Sequence, residues 1–290
     1  MKTDSNGEAI SGYLLPGTYY VKETGNAVDN DAYWVMDTSK ETVTVVAGED
    51  TDEIEFVNTE YGRFTLKKTT NTGADKDNWI FTVYTDSACT TVAKDKNGNN
   101  VTLTTDANGA ATSGYLLPGT YYVKETGGNK YSNPYWKPDS DKESVVVTAG
   151  STNQTPIVFD NPHYGRIVVE KSTNTGNNLS GWTFTVYTDA NCRNVAKDKN
   201  GQNVTMVSKN NGVATSGYLL PGTYYVKETN GVGFEDGQDY YWTVSTETKT
   251  VTVVAGQDVR PAAANGVFTN THYGRLQVIK DMDTVELNGK

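Results

Sequence analysis

Residues 113–126 read Ser-Gly-Tyr-Leu-Leu-Pro-Gly-Thr-Tyr-Tyr-Val-Lys-Glu-Thr, and this stretch decides the fold. The Pro-Gly pair is typical of a turn, and the residues that follow it alternate as in a β-strand. The same sequence begins at Ser11, Ser113 and Ser216. A period of about a hundred residues is too long for a solenoid repeat and indicates whole domains in tandem.

A second landmark, Tyr-Gly-Arg, begins at Tyr61, Tyr164 and Tyr273 and marks the start of each unit. The sequence therefore resembles a part of a longer tandem array of such units. We predict a partial domain over residues 1–60 that lacks its first strands, complete domains over 61–163 and 164–272, and the first strand of a further repeat over 273–290.

Composition favours a β protein and excludes several function classes. The net charge of −10 and the isoelectric point near 4.8 argue against binding to nucleic acid or to an anionic membrane surface. No apolar run approaches the length of a membrane span. Tyr, Thr and Val are abundant, and turn pairs such as Asn97-Gly98 separate the candidate strands. Cys89 and Cys192 occupy equivalent positions, one in each complete unit, so neither unit can contain a disulfide.

The second unit shows how the strands are arranged. About seven short alternating segments separated by turn signals, with no helical pattern, predict an all-β fold of the sandwich type. The clearest of these predicted strands cover residues 62–68, 79–84, 101–105, 120–126, 144–148 and 156–161.

Polar residues interrupt the apolar faces of three predicted strands. Successive side chains of a strand point to opposite faces, so Lys68 shares a face with Phe64 and Leu66. Glu125 and Asn161 end the apolar faces of two later strands in the same way. The same residue types recur at Lys171, Glu228 and Asn270 in the next unit, at Glu23 and Asn58 in the leading part, and at Lys280 in the tail.

Such residues are usually solvated strand ends, because Lys and Glu are seldom fully buried. Three residue types that each recur on an apolar face favour burial instead. Burial lowers the pKa of a lysine and raises the pKa of a glutamic acid. A neutral lysine amine is a nucleophile, and a protonated glutamic acid could polarise the asparagine carbonyl by hydrogen bonding and then carry the proton. The product would be a Lys–Asn isopeptide bond, with ammonia as the leaving group.

These motifs resemble the CnaB-type domain of Gram-positive surface proteins, a family that includes collagen-adhesin stalks and pilin backbones. The resemblance rests on Gly-x-x-x-x-x-Lys, on Leu-x-Pro-Gly-x-Tyr-x-Val-x-Glu-Thr and on a closing Phe-x-Asn, and it covers all four parts of the chain. It implies a reverse-immunoglobulin, prealbumin-like sandwich whose first and last strands are joined by an isopeptide bond, with Glu as the catalyst. The implied sets are Lys68, Glu125 and Asn161, then Lys171, Glu228 and Asn270, with Glu23 as the catalyst of the partial copy and Asn58 and Lys280 as unpaired counterparts.

Other signals have simpler explanations. Leu15–Tyr19 superficially resembles a sortase sorting signal, but a Pro-Gly turn that enters a strand explains it better. Asp95–Asn99 faintly resembles a calcium loop but lacks the closing Glu, which favours a plain hairpin. The tryptophans could line a glycan-binding surface, although packing in the core is the better default. We expect no metal site and no cofactor.

The function that we predict is that of a repetitive structural stalk in a bacterial surface adhesin or a pilus-like fibre. The protein would be extracellular and anchored to a Gram-positive cell wall, with signal peptide and anchor outside this sequence. Its partners would be adjacent repeats of the same protein and a host ligand bound by a domain elsewhere. We expect no enzyme activity beyond a single crosslinking turnover in each domain, and we expect Lys280 and Asn58 to stay unlinked.

The main alternative is a repeated binding module. In that case loops such as Gly127–Pro134 and Gly231–Asp239, which differ most between the copies, would contact host matrix or glycan.

Overall fold

The computed structural model describes residues 1–25, 31–231 and 241–281, and the described chain is almost entirely β. Within these ranges, no helix is long and apolar enough to cross a membrane. The chain forms two compact units, one of Met1–Ser132 with Pro138–Asn161 and one of Asn133–Lys137 with Pro162–Lys290. The division into four repeat-based domains remains a prediction.

The leading sixty residues form two short strand pairs. Strand β1 (Gly17–Lys22) pairs with β3 (Lys40–Val45), and β2 (Trp34–Val35) pairs with β4 (Thr59–Glu60), both antiparallel. Every described side chain of this segment is at least partly exposed, so the partial repeat has no closed core.

The first unit also contains a complete β-sandwich, which confirms the predicted all-β fold class. One of its sheets has the strand order β10-β9-β6-β7, and the facing sheet has the order β11-β5-β8. The strands are β5 (Arg63–Thr70), β6 (Trp79–Tyr84), β7 (Thr102–Thr104), β8 (Ala110–Thr112), β9 (Gly119–Gly128), β10 (Lys142–Val147) and β11 (Thr152–Asn161).

Alternation along β5 explains how its residues divide between core and surface. Phe64, Leu66, Lys68 and Thr70 are buried, whereas the residues between them are only partly covered. Because side chains of a strand alternate in direction, the apolar residues that place β5 against the core also carry Lys68 into it.

The first and last strands of the sandwich lie side by side. β5 pairs with β11 in parallel, with Lys68 opposite Phe159 and Thr70 opposite Asn161. Parallel neighbours require a long crossover, and here all the other strands of the repeat lie between them in the sequence. The ends of the repeat therefore meet in one sheet.

The second unit repeats this architecture. Its sheets have the orders β14-β13-β16-β18 and β15-β12-β20-β17, with β19 also paired to β12, and β12 and β20 are parallel. The strands are β12 (Arg166–Thr173), β13 (Thr183–Tyr187), β14 (Thr205–Val207), β15 (Val213–Thr215), β16 (Gly222–Asn230), β17 (Trp242–Thr243), β18 (Thr248–Val253), β19 (Asp258–Val259) and β20 (Val267–His272), with a 3-10 turn at Ala263–Gly266.

Gly109 contacts the backbone of β5 at Lys68. Its carbonyl accepts a hydrogen bond from the Lys68 N–H at 2.6 Å, and its φ of +78° suits glycine. A Cβ atom added at Gly109 would collide with the Lys68 carbonyl oxygen, and one at Gly212 would lie 2.6 Å from the Lys171 oxygen. Both complete repeats thus require glycine at this position.

Residues 273–281, the described part of the tail, form no strand. Leu276, Val278 and Ile279 are 78–90% exposed. The assignment of residues 273–290 to the first strand of a further repeat remains a prediction. Residues 282–290 lie outside the described residues.

We predict that Gly109→Ala destabilises the first unit more than Gly98→Ala does. Both glycines have positive φ, at +78° and +81°, so alanine carries about 1 kcal/mol of backbone strain at either site. Only Gly109 adds a collision, because nothing lies within 4 Å of a Cβ at Gly98. Thermal unfolding of both variants would measure the difference, and equal melting temperatures would contradict it.

Candidate functional site

Two complete polar clusters lie in the hydrophobic cores of the sandwiches. In the first, Lys68 comes from β5, Glu125 from β9 in the facing sheet, and Asn161 from the end of β11. The three residues are 0%, 1% and 0% exposed. The sandwich therefore brings together residues far apart in the sequence and removes them from water.

Glu125 bridges the other two side chains. Its Oε2 accepts a hydrogen bond from Lys68 Nζ at 2.9 Å, and its Oε1 accepts one from Asn161 Nδ2 at 2.8 Å. Both carboxylate oxygens are thus occupied, and the nucleophile and the amide lie on either side of one glutamate.

The second unit contains the same arrangement. Lys171 Nζ donates to Glu228 Oε2 at 2.8 Å, and Asn270 Nδ2 donates to Glu228 Oε1 at 2.6 Å. All three residues are at most 1% exposed. The same pairs of atoms are in contact in both copies, which indicates that the arrangement is a specific feature of the repeat.

A register shift helps to aim the glutamate. Opposite β6, the pairing of β9 shifts between Ile80 and Phe81, so that Phe81 faces Glu125 and Thr126 is left over. The Thr126 hydroxyl hydrogen-bonds Thr82 Oγ1 at 2.8 Å on the outer face. Such bulges redirect side chains, which accounts for the Glu-Thr pair that ends the repeated stretch.

Burial shifts the protonation of the pair. Desolvation lowers the pKa of Lys68 below its usual value, although the Glu125 hydrogen bond and charge oppose this. Desolvation likewise raises the pKa of Glu125, opposed by its bonds to Lys68 and Asn161. The pKa of Lys171 is also lowered by desolvation. Both shifts in the first site favour a neutral amine beside a neutral carboxylic acid.

A tryptophan covers each lysine. Lys68 Nζ lies 5.0 Å from the ring centroid of Trp79, and Lys171 Nζ lies 4.4 Å from that of Trp182. Both rings are fully buried, which confirms core packing over a glycan-binding surface for these two residues. An indole face is an apolar wall that a neutral amine tolerates, and it also attracts the amine when protonated.

The asparagine carbonyl has a partner that sequence reasoning missed. Asn161 Oδ1 accepts a hydrogen bond from the backbone N–H of Asp139 at 2.8 Å, and Asn270 Oδ1 accepts one from Ser245 N–H at 2.7 Å. The expectation that Glu polarises this carbonyl is therefore wrong. Because the N–H must face an oxygen, the NH₂ group of the amide faces the glutamate instead.

A sequence signal for this donor does exist. Asp or Ser stands three residues after the tryptophan of each Tyr-Trp pair, at Asp37, Asp139 and Ser245. The Asp139 side chain accepts the N–H of Asp141 at 2.9 Å, and this turn holds the Asp139 N–H towards the asparagine.

The partial repeat contains the glutamate and the asparagine of the site, but no lysine among the described residues contacts its glutamate. Asn58 Nδ2 donates to Glu23 Oε1 at 3.0 Å, and Asn58 Oδ1 accepts the Asp37 N–H at 2.8 Å. Glu23 Oε2 is buried without a hydrogen-bond partner, and it corresponds to the oxygen that receives the lysine in the complete sites. Lys280 lies in the exposed tail.

Several other predicted features have plain structural roles. The Asp95 carboxylate accepts backbone N–H groups within its own turn, from Asn97 and Asn99 at 2.9 Å, as in a hairpin. Cys89 and Cys192 are free thiols. Residues 232–240, which carry most of one variable loop, lie outside the described residues.

Comparisons with solved structures return proteins of low similarity. The TIE protein of Bacillus anthracis is 17% identical with a TM-score of 0.34, over 82% of this chain and 42% of that one, so the chain spans less than half of its length. A streptococcal ancillary pilin is 18% identical with a TM-score of 0.36, over 91% and 77% of the two chains. The shaft pilin SpaA of Lactobacillus rhamnosus GG is 15% identical with a TM-score of 0.32, over 75% and 100%.

No curated protein matches the chain. The model of the SpaA prealbumin-like fold domain, however, matches residues 62–164 and 165–259, which is more than half of the sequence. The first match covers the whole first sandwich, and the second covers the second sandwich from β12 to β19. The chain belongs to the SpaA family of prealbumin-like fold domains.

Proposed function

We propose that this chain is a repetitive structural segment of a surface fibre or adhesin stalk, and that each complete repeat forms an autocatalytic Lys–Asn isopeptide bond. The observation that carries the proposal is the Glu125 carboxylate, which contacts both Lys68 Nζ and Asn161 Nδ2 in the buried core. Family membership and the pilins among the similar structures support a structural role on the cell surface.

The proposed reaction begins with neutral Lys68, whose Nζ attacks Cγ of Asn161. The negative charge that develops on Oδ1 is stabilised by the Asp139 N–H, as in an oxyanion hole. Protonated Glu125 delivers its proton to Nδ2, and the carboxylate that results takes one from Nζ, so the bond between Cγ and Nδ2 breaks and ammonia leaves. Glu125 ends in its starting state, and the reaction requires neither an oxidant nor a cofactor.

The contacts of Glu125 suit this proton transfer. One oxygen touches the atom that loses a proton and the other touches the atom that gains one, both within ordinary hydrogen-bond distance. Holding the reacting groups together in a folded core replaces a very slow bimolecular step with an intramolecular one. The same roles fall to Lys171, Glu228, Asn270 and the Ser245 N–H in the next repeat.

The location of the bond suits a load-bearing protein. It would join β5 to β11, the parallel first and last strands, and so enclose a loop of about 90 residues. By analogy with a disulfide, closing such a loop stabilises the domain by about 4–5 kcal/mol through the unfolded state. Force applied at the two ends of a repeat would then pass through the covalent bond without separating the sheets.

A binding module remains the second candidate. Lys130, in the variable loop Gly127–Pro134, forms ion pairs with Asp77 at 2.7 Å and with Asp75 at 3.5 Å, so this loop is held to its own sandwich. A ligand screen against the full chain would test the idea, and binding that requires this loop would favour it over a purely structural role.

We predict that the purified chain is lighter than its sequence mass by two molecules of ammonia, one for each complete site. The partial copy has Glu23 and Asn58 but no lysine beside them, so we expect no third loss. Intact mass spectrometry under denaturing conditions would measure this. A mass equal to that of the sequence, with both sandwiches folded, would refute the crosslink.

We predict that Glu125→Gln removes one of these losses and leaves the other. Glutamine keeps the volume and can still contact Asn161, but it cannot shuttle a proton, so Lys68 and Asn161 stay free. The variant first unit should unfold at a lower temperature, while the Glu228 site provides the control within the same molecule. Glu228→Gln should give the reciprocal result. Normal crosslinking in Glu125→Gln would refute the assigned role.

We predict a plateau in the pH dependence of bond formation between the pKa values of Glu125 and Lys68. The reactive pair, neutral Lys68 with protonated Glu125, holds as many protons as the ion pair, so its population does not change with pH between the two pKa values. Below the raised pKa of Glu125 the lysine is charged and the rate falls; above the lowered pKa of Lys68 the acid is lost and the rate falls again.

To measure this, the chain would be trapped uncrosslinked in denaturant directly after cell-free synthesis. It would then be diluted into buffers of different pH and followed by intact mass. A rate that rises in proportion to hydroxide concentration through neutrality would show that Lys68 loses its proton to solvent, against the proposed transfer to Glu125.

A further inference from the structure

A second repeated group of residues lies outside the crosslink sites and has no role in the proposed reaction. A Tyr-Trp pair occurs late in each repeat, at Tyr33-Trp34, Tyr135-Trp136 and Tyr241-Trp242. The tyrosines contact residues that belong, by sequence, to the repeat that follows.

In the first unit, Tyr33 packs against Tyr115 edge to face, with ring centroids 5.3 Å apart and planes at 86°. Lys96 lies with Nζ 4.2 Å from the Tyr115 centroid and donates to the Ala32 carbonyl at 2.6 Å. The Tyr33 hydroxyl hydrogen-bonds Thr152 Oγ1 at 2.7 Å. Residues of the partial repeat thus meet the complete sandwich through ring, cation and hydroxyl contacts together.

In the second unit, Tyr135 packs against Tyr218 edge to face, with ring centroids 5.2 Å apart and planes at 86°. Lys199 lies with Nζ 4.1 Å from the Tyr218 centroid and donates to the Pro134 carbonyl at 2.7 Å. The segment Asn133–Lys137 belongs to this compact unit although its sequence position is in the preceding repeat. The distances match those of the first unit closely.

The partner of the tyrosine hydroxyl differs between the two copies. The partner of the Tyr135 hydroxyl is Asp258 Oδ1, at 2.6 Å, where the first unit has Thr152. Arg166 binds both oxygens of Asp258, at 2.8 and 2.7 Å, and holds the pKa of that carboxyl below its usual range. A bidentate arginine pair of this kind is stronger than a neutral hydroxyl contact.

Backbone contacts accompany the side chains in all three copies. The N–H of the residue that begins the next repeat donates to the tyrosine carbonyl at 2.7 Å, as Tyr61 to Tyr33, Tyr164 to Tyr135 and Tyr273 to Tyr241. In the third copy Arg275 lies 5.4 Å from the Tyr241 centroid. The contact therefore begins again where the tail starts.

We propose that these contacts form a docking surface between successive repeats: the tyrosine of one repeat seats in a socket of arginine, lysine, tyrosine and Thr or Asp on the next repeat of the same chain. The arginine of each socket covers the socket tyrosine, with Arg63 Cζ 4.9 Å from the Tyr115 centroid and Arg166 Cζ 5.3 Å from the Tyr218 centroid. The complete socket is Arg63, Lys96, Tyr115 and Thr152 in one copy, and Arg166, Lys199, Tyr218 and Asp258 in the other. Aromatic edge-to-face and cation–π contacts each contribute modestly, and they act here with a directed hydrogen bond. This inference does not depend on the isopeptide bond.

The test compares hydrogen exchange at the Tyr164 and Tyr61 amides in the full chain by NMR. Tyr135→Ala should speed exchange at Tyr164 about tenfold, as expected for loss of about 1.4 kcal/mol of local stability, and leave Tyr61 unchanged. Tyr33→Ala should do the reverse. Each joint is thus the control for the other.

Two further variants separate docking from local chain stiffness. Lys199→Met alters only the socket, 65 residues from the Pro134 carbonyl that it contacts, and should also speed exchange at Tyr164. Tyr218→Phe keeps the socket ring and should change nothing. Combining Tyr135→Ala with Lys199→Met should give less than the sum of the two effects, since both residues contact the Tyr218 ring.

The proposal would be overturned if Tyr135→Ala or Lys199→Met left the Tyr164 amide within twofold of the parent rate. Equal acceleration of core amides such as Val186 would also overturn it, because the unit itself would then be opening. The ammonia loss read from the intact mass of the same samples reports on the crosslink separately, so either proposal can fail without the other.

Discussion

The buried contact between a lysine and a glutamate is the interaction on which the rest of the sandwich depends. Removing one partner of such a pair leaves the other polar group in the core without its hydrogen bond, which destabilises the fold. A slip of one residue in the register of β5 would turn Phe64, Leu66 and Lys68 to the other face and separate Lys68 from Glu125. The polar cluster therefore specifies how β5, β9 and β11 meet.

The cluster also explains features that look unrelated to it. Asn161 uses the second oxygen of Glu125, and the Asp139 turn supplies an N–H to the amide oxygen, so that no polar atom of the asparagine is left unsatisfied. Trp79 covers the lysine, and Gly109 lets a second strand approach the Lys68 backbone closely. Each is needed because a buried polar group must find all its partners within the protein.

Repetition gives the molecule two kinds of contact with different strengths. Within a repeat, the buried cluster connects the strands at its beginning and end. In the contacts that we propose between successive repeats, the tyrosines are half-exposed. The residue that contacts the tyrosine hydroxyl differs, because it is Thr152 in one copy and Asp258 in the other. A site in the core permits little variation because nothing can solvate an error there, whereas a surface contact permits it because water is available.

Sequence alone determined the β-sandwich, the tandem order and the three residue types of the site, because strand alternation places Lys68, Glu125 and Asn161 on apolar faces. Tertiary structure decided which atoms meet. The N–H of Asp139 on the asparagine carbonyl, the approach of Glu125 to the amide nitrogen and the socket for Tyr135 each join segments far apart in the chain. Periodicity gives the face on which a residue lies, but it does not give the position of a neighbour from another strand, because that position depends on how distant segments of the chain pack together.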